Sequence, residues 1–203
     1  MDLPEYLVAG LGNPGSRYAR TRHNIGFRLV DALCDRCGGI HTLAKESSEI
    51  RIGTIEGIAV GLIKPLCYMN CSGPPIAQLA DFWDVPPSRV IVVHDDMDLM
   101  FGKIKIKEKG GSGGHKGVQS IIDTFQNDGF IRVRLGIGHP PAGVSGPDYV
   151  LSAFSEAEER MLPVVLKTAC DAVVTILCRG TKEAMNRFHR SEVDTVGQPT
   201  DGR

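Results

Sequence analysis

The sequence lacks several features that define other classes of protein. No run of about 18 apolar residues occurs, so no transmembrane helix is expected. The first residues contain no basic segment, so we expect no signal peptide and predict a cytoplasmic protein. No serine or cysteine stands out as a well-placed nucleophile, which favours attack by an activated water. A P-loop is excluded because Lys116 is followed by Gly117 instead of Ser or Thr.

The composition is that of one globular domain with an uneven distribution of charge. Apolar residues make up 42% and charged residues 23% of the 203 residues, as in ordinary folded domains. The net charge is −1, yet no acid stands between Tyr6 and Val30, where four arginines occur. The segment from Lys103 to Lys116 has five lysines and one acid. Such segments could bind a polyanion locally or simply keep the surface soluble, and charge alone does not decide.

The six cysteines raise the question of a metal or redox site. Cys34 and Cys37 form a C-x-x-C motif, but they lie inside a helical pattern. Cys67 and Cys71 flank Tyr68-Met69-Asn70 instead of a zinc knuckle. Reduced thiols without a bound metal are therefore the favoured interpretation.

Hydrophobic periodicity predicts strands that alternate with helices. Strands are expected at 6–11, 49–55, 58–63, 90–93, 103–107 and 131–137, with the second and third joined as a hairpin through Glu56-Gly57. Helices are expected at 23–37, where Gly38-Gly39 ends the helix, and at 72–83 and 116–125. A capping box at Ser155-x-x-Glu158 opens a long C-terminal helix, which Pro163 should kink or delay. The fold class is α/β, a single domain over 1–190 with a mixed, mostly parallel twisted sheet flanked by helices, and 191–203 form a polar tail expected to be disordered.

The segment Gly10-Leu11-Gly12-Asn13-Pro14-Gly15 matches the dinucleotide fingerprint G-x-G-x-x-G. A true fingerprint needs a helix that opens at the glycines, and the residues that follow have no helical apolar stripe. The acid expected about 20 residues later would fall inside the predicted helix. We therefore reject a nicotinamide site.

Polar residues cluster where predicted strands end. Asn13 ends the first strand and Asp95 ends the apolar strand at 90–93, so both would face one crevice if these strands are parallel neighbours. A histidine beside an aspartate makes a general base, because the carboxylate fixes the tautomer of the ring. His94, Asp95, Asp96 and Asp98 could alternatively bind a hard cation such as Mg²⁺.

Six ordered motifs resemble the bacterial-type peptidyl-tRNA hydrolase family and cover nearly the whole chain. They are Val8-Ala9-Gly10-Leu11-Gly12-Asn13-Pro14-Gly15 with Tyr18, Thr21-Arg22-His23-Asn24-Ile25-Gly26, Tyr68-Met69-Asn70-x-Ser72-Gly73, His94-Asp95-Asp96-x-Asp98-Leu99, Gly113-Gly114-His115-x-Gly117 and Arg134-x-Gly136-Ile137-Gly138-His139-Pro140.

The resemblance implies an enzyme that hydrolyses the ester between a peptide and the 3′ end of tRNA, without cofactor or metal. By this resemblance His23 is the general base, Asp95 the carboxylate behind it, and Asn13 and Asn70 polarise the ester carbonyl. The residues implied to bind substrate or tRNA are Tyr18, Met69, Asn70, Lys107, His115, Lys116 and Arg134. The implied partner is peptidyl-tRNA, held by its 3′ CCA end and acceptor stem; no membrane and no obligate protein partner are expected, and the chain should act as a monomer.

Two alternatives and one departure from the family pattern remain. The chain could be an RNA-binding relative that has lost hydrolysis, or a metal-dependent nuclease or phosphatase that uses the acidic cluster at 94–98. Lys116 stands where well-known family members carry Asn, and a lysine only donates hydrogen bonds. We expect Lys116 to help hold the RNA 3′ end, while a solvated lysine is as good an interpretation. For Lys103 and Lys105, edge-strand charge that discourages aggregation is a sufficient explanation.

Overall fold

A seven-stranded mixed sheet forms the centre of the computed structural model, which describes residues 3–45 and 47–189. The strands are β1 (Tyr6–Gly10), β2 (Gly38–Lys45), β3 (Ser48–Ile55), β4 (Ile58–Pro65), β5 (Val90–Asp96), β6 (Ile104–Lys107) and β7 (Ile131–Gly136). Their order across the sheet is β2-β3-β4-β1-β5-β7-β6. The four central strands β4, β1, β5 and β7 are parallel, and the flanking strands pair antiparallel. The predicted α/β class is confirmed; the predicted tail at 191–203 lies outside the described residues.

Helices cover both faces of the sheet. They are α1 (Ile25–Cys34), α2 (Gly73–Phe82), α3 (Lys116–Phe125), α4 (Gly146–Val150) and α5 (Glu156–Phe188). Successive side chains of a strand point to opposite faces, so Ile91 and Val93 pack with α1 and α5, whereas Val90 and Val92 pack with α2 and α3. Every residue of β5 is buried, as its unbroken apolar run predicts for a central strand covered on both sides.

Two of the three glycines of the dinucleotide-like motif, Gly10 and Gly12, allow close packing between the β1 region and α1. A Cβ added at Gly10 would lie 2.2 Å from the carbonyl oxygen of Gly26, and one added at Gly26 would lie 2.5 Å from the backbone nitrogen of Leu11. At Gly12 an added Cβ would meet the ring of Phe27 at 2.7 Å. Only glycine permits this approach of strand and helix. Close packing, without a bound nucleotide, therefore accounts for the glycines that resemble the fingerprint.

The segment after α1 differs from the expected helix stop. The helix ends at Cys34, and the glycine pair begins β2 instead of a loop. Gly39 has a φ of 64° at a register shift between Gly38 and His41, which is a bulge that glycine accommodates. The strand was missed because its pairing with β3 is a tertiary contact. The predicted hairpin of β3 and β4 is present, with φ of 50° at Glu56 and 81° at Gly57.

The capping box at Ser155 and Glu158 is complete and fixes the start of α5 at Glu156. The expectation that Pro163 delays or kinks this helix is wrong: the ring's fixed φ fits a helix, and the departure from helical dihedral angles lies at Gly180 (φ 81°, ψ 169°).

By length and composition α5 could cross a membrane, with a mean hydropathy of 1.8 over its most apolar 18 residues. Half of that stretch is buried in the fold, where Leu162, Val165 and Ala169 are fully or almost fully covered. A core helix passes the same test of length and composition, and packing against the sheet accounts for the apolar residues here.

Candidate active site

A cleft of about 780 Å³ opens at the carboxyl ends of the parallel strands. Its wall includes nine of the ten predicted site residues: Asn13, His23, Met69, Asn70, Asp95, Lys107, His115, Lys116 and Arg134. β1 and β5 are parallel neighbours, with Gly10 opposite Val93, so the loops that follow them face the same crevice. The predicted convergence of Asn13 and Asp95 is therefore present in the fold.

His23 and Asp95 form the central pair of the cleft. His23 lies in a single 3-10 turn, Arg22–Asn24, directly before α1, and its Nδ1 is 2.9 and 3.0 Å from the two carboxylate oxygens of Asp95. Because the carboxylate accepts, Nδ1 carries the hydrogen and Nε2 keeps its lone pair. Nε2 of His23 has no partner among the described residues. This is the arrangement of a general base.

Asp95 is ionised despite being buried. Its side chain is 2% exposed, and burial alone would raise the pKa of this carboxyl. The charges and hydrogen bonds of His115 and His23 outweigh that effect and hold the pKa of Asp95 below its ordinary range. The carboxylate is therefore charged throughout the pH range in which a histidine could act as a base.

His115 is a second partner of Asp95, which the sequence did not indicate. Its Nε2 lies 3.0 Å from Oδ1 of Asp95, and its Nδ1 accepts from the backbone N–H groups of Gly117 and Val118 at 3.2 and 3.3 Å. His115 is thus also the N-cap of α3. Nothing in the sequence shows this contact, because the two residues stand on separate segments joined only by the fold.

Asn13 is held with its amide hydrogens free. Its Oδ1 accepts from the backbone N–H of Met69 at 2.8 Å, while its own backbone N–H and C=O both bond the side chain of Asn24 at 2.9 Å. Among the described residues its Nδ2 has no acceptor. Asn70 follows Met69 in the 3-10 turn Met69–Cys71 and is exposed in the cleft wall. The buried Met69 and the exposed Tyr68, which was not predicted as a site residue, complete this side.

The acidic cluster does not assemble as a set of metal ligands. Asp96 accepts from Nε of Arg134 and, at 2.9 Å, from the backbone N–H of Asp98. His94 is buried and its Nδ1 donates to the backbone carbonyl of Asp95 at 2.7 Å. Of the described residues, His23, Asp95 and His115 have side-chain atoms within 4.8 Å of one another, close enough to hold an ion. Both rings already donate to the carboxylate, and these hydrogen bonds account for the short distances.

The basic residues divide into paired and unpaired groups. Arg22 bonds Glu158 at 2.7 Å and Arg28 bonds Glu159 through two contacts of 3.0 Å, so part of the arginine-rich stretch is structural. Lys107 on β6 and Lys116 at the start of α3 are exposed in the cleft wall, and neither has an ion-pair partner in the described chain. Arg134, which was predicted to bind phosphate, also lies in the cleft wall. Its Nε donates to the carboxylate of Asp96, which partly neutralises its charge.

Tyr18 lies outside the cleft wall, contrary to the expectation that it lines the cleft. It belongs to the surface turn after Gly15, where its hydroxyl bonds Arg17 and the Arg17 guanidinium lies 4.4 Å from the ring centre. Further wall residues, which the sequence did not indicate, are Met97, Pro147 and Val150 of α4, and Leu151 directly after it. The N-cap Ser145 followed by proline was the available signal for α4.

A doubly covered α/β sheet with a histidine–aspartate pair and a free amide donor at its carboxyl edge fits the class of hydrolytic enzymes. The chain belongs to the peptidyl-tRNA hydrolase family, whose model matches residues 7–196. A peptidyl-tRNA hydrolase of Chloroflexus aggregans is 45% identical over 185 residues, 91% of this chain and 98% of that protein. One from Nocardia farcinica is 45% identical over 184 residues, 90% of this chain and 95% of that protein. The crystal structure of peptidyl-tRNA hydrolase from Acinetobacter baumannii superposes with a TM-score of 0.85 at 34% identity, covering 95% of this chain and 98% of that one.

Proposed function

We propose that this chain hydrolyses the ester between a peptide and the terminal ribose of tRNA, releasing free tRNA and peptide. Membership of the family supports the reaction, and one observation carries the mechanism: Asp95 binds Nδ1 of His23 and leaves Nε2 facing the cleft. Nε2 removes a proton from a water as that water attacks the ester carbonyl. Asp95 stabilises the imidazolium that forms. Protonation of the ribose oxygen by the same histidine then completes ester cleavage.

The amide groups of Asn13 and Asn70 bind the developing oxyanion. Oδ1 of Asn13 is fixed by Met69, which aims Nδ2 without a change of conformation during the reaction. A preorganised donor of this type contributes about 10²–10³-fold to rate. The ester is an activated acyl group, so the proposed reaction needs no metal, cofactor or covalent intermediate.

The RNA is bound along the basic side of the cleft. Lys107 carries an unpaired charge at its rim, and Arg134 projects from the adjacent strand β7. We assign these two side chains to the phosphates of the acceptor stem and Lys116 to the region of the 3′ CCA end. His115 precedes Lys116, but its two ring nitrogens are engaged by Asp95 and by the amides of α3. We further propose that the chain acts as a monomer, without an obligate protein partner. The substrate is a product of translation, which supports a cytoplasmic location.

The test is ester cleavage of an N-blocked aminoacyl-tRNA that carries a radiolabelled amino acid, measured with and without a chelator. Wild type should cleave equally in both conditions, and loss of activity with the chelator would favour the metal-dependent alternative. His23→Ala should lower kcat by about 10²–10⁴-fold and leave tRNA affinity nearly unchanged. Asp95→Asn should also lower kcat, because the amide would favour the wrong tautomer of the His23 ring.

The matched control is His41→Ala, because His41 is an exposed histidine on β2, outside the cleft. Activity of His23→Ala within a few-fold of this control would refute the assignment of the base. Tight tRNA binding by wild type without any cleavage would favour the RNA-binding alternative that has lost hydrolysis.

A further inference from the structure

Asp95 accepts hydrogen bonds from two imidazoles that come from different elements. His23 reaches it from the turn before α1, and His115 reaches it from the N-terminus of α3. Oδ1 is shared by the two rings, at 2.9 Å from Nδ1 of His23 and 3.0 Å from Nε2 of His115. The orientation of the carboxylate therefore depends on both rings.

The backbone of α3 fixes the tautomer of His115. Its Nδ1 accepts from the N–H groups of Gly117 and Val118, so that nitrogen cannot carry a hydrogen. The hydrogen must lie on Nε2, where it is donated to Asp95. The hydrogen bonds thus run in one direction from the amides of α3 through His115 to Asp95. At the carboxylate they meet the N–H of His23.

The packing around His115 limits its direct contact with a substrate. Its side chain is 9% exposed, and its ring centre lies 5.0 Å from that of His23 and 4.7 Å from that of His94. An added Cβ at Gly117 would lie 2.5 Å from the sulfur of Met69, so the first turn of α3 is packed closely beside it. The other charged side chains in the cleft wall are Asp96 with its partner Arg134, Asp98, Lys107, Arg132 and Lys116, and the buried His94 is the other titratable ring beside His115.

We propose that His115 is a positioning residue that acts through Asp95 on the orientation and basicity of His23. This inference rests on the proposed hydrolysis and gives His115 a role other than contact with RNA. Without the His115 donor, the carboxylate is less well stabilised and interacts more strongly with protonated His23. The protonated, inactive form of His23 then persists to higher pH, and the carboxylate is free to rotate.

Two substitutions separate the two hydrogen bonds of His115. Asn places an acceptor near the position of Nδ1 and keeps the cap of α3, but it is too short to reach Asp95. Gln places an N–H near the position of Nε2 and keeps the donor to Asp95. We expect His115→Asn to lower kcat by about 10–100-fold with KM within about twofold, and to move the acidic limb of the kcat/KM profile to higher pH. We expect His115→Gln to stay within about fivefold of wild type with an unmoved profile.

The opposite ranking would show that His115 matters only as a helix cap, and would overturn the inference. An increase in KM for both variants with an unmoved pH profile would show contact with substrate instead, and would also overturn it. Thermal unfolding of both variants checks that each is folded under the assay conditions.

A second readout does not depend on activity. Imidazole ¹⁵N NMR of wild type should show hydrogen on Nε2 of His115 and on Nδ1 of His23. In His115→Asn the ¹⁵N signals of the His23 ring should change, because the carboxylate that holds Nδ1 has lost its second donor. A His23 spectrum that is unchanged in His115→Asn overturns the positioning role even if catalysis is impaired. Failure of wild type to cleave the ester, with the NMR result as expected, would overturn the proposed function alone.

Discussion

His94 makes the stability of the fold sensitive to mild acid. The ring is buried beside His115, and burial together with that neighbour lowers the pKa of His94 to about 3, from the ordinary 6.5. Its Nδ1 donates to the carbonyl of Asp95, while its Nε2 is buried without a partner among the described residues. Below pH 6.5 the unfolded chain therefore binds a proton that the folded chain does not bind. Stability must fall as the pH falls.

The size of the effect follows from the difference in proton binding. Between pH 7 and pH 5 the unfolded histidine becomes almost fully protonated while His94 stays neutral, which removes about 2 kcal/mol from the free energy of unfolding. The figure hardly changes for any folded pKa below about 4. At lower pH, protonation of Asp95 further decreases the free energy of unfolding. The pKa of this carboxyl is lowered in the folded protein, so its stabilising effect is lost as it is protonated.

The assay is urea unfolding at pH 7, 6 and 5, followed by fluorescence of the one tryptophan, Trp83, and by circular dichroism as a check of two-state behaviour. His94→Asn keeps a donor toward the Asp95 carbonyl but does not titrate. Wild type should lose about 2 kcal/mol more than this variant over the range. His41→Asn, at an exposed position, should behave as wild type. A difference between wild type and His94→Asn below about 0.5 kcal/mol would refute the reasoning, because ordinary substitutions vary by that much.

Three further predictions concern RNA binding. Lys107→Ala should weaken tRNA binding and reduce the slope of log Kd against log salt by about one, whereas Lys103→Ala, outside the cleft wall, should keep the full slope. Arg134→Ala should change the slope less, because Asp96 already shares its charge; equal slopes for wild type and Lys107→Ala would place the phosphate contact elsewhere. Lys116→Met should raise KM clearly while Lys116→Asn stays active within about tenfold, and steady-state kinetics with unchanged KM and kcat in Lys116→Met would show a solvated lysine.

The parts of the fold that could be predicted are those in which local pattern and tertiary environment agree. The all-apolar run at the start of β5 predicted a central strand, and its polar end predicted the position of Asp95. Helix α3 has the predicted bounds, because a glycine-rich loop precedes it and Gln126 in the left-handed region ends it. Strand β2 was not predictable in this way, since its glycines favour a helix stop and only the pairing with β3 makes it a strand.

Arg132 shows how alternation can mislead about burial. The pattern of β7 places Arg132 and Arg134 on one polar face, yet Arg132 is 2% exposed. Its guanidinium donates to the backbone carbonyls of Gly110, Asp128 and Phe130, and stacks at 4.0 Å on the Phe130 ring. These acceptors belong to loops beside β7, and no local sequence pattern shows that the loops lie there. A buried arginine with backbone acceptors instead supports the glycine loop that leads to α3.

The active site shows the same division between what sequence can and cannot specify. Strand ends predicted that Asn13 and Asp95 share one crevice, because a side chain at the carboxyl edge of a parallel sheet faces that crevice, and the family resemblance implied His23 as the base. The base also requires that a particular nitrogen of His23 be free, and that is decided by the shared carboxylate. The carboxylate is held in turn by a ring whose own tautomer is set by the amides of α3. Each step crosses between segments that only the fold brings together, so the sequence could supply the reacting groups but not the direction of the hydrogen bonds that make one of them a base.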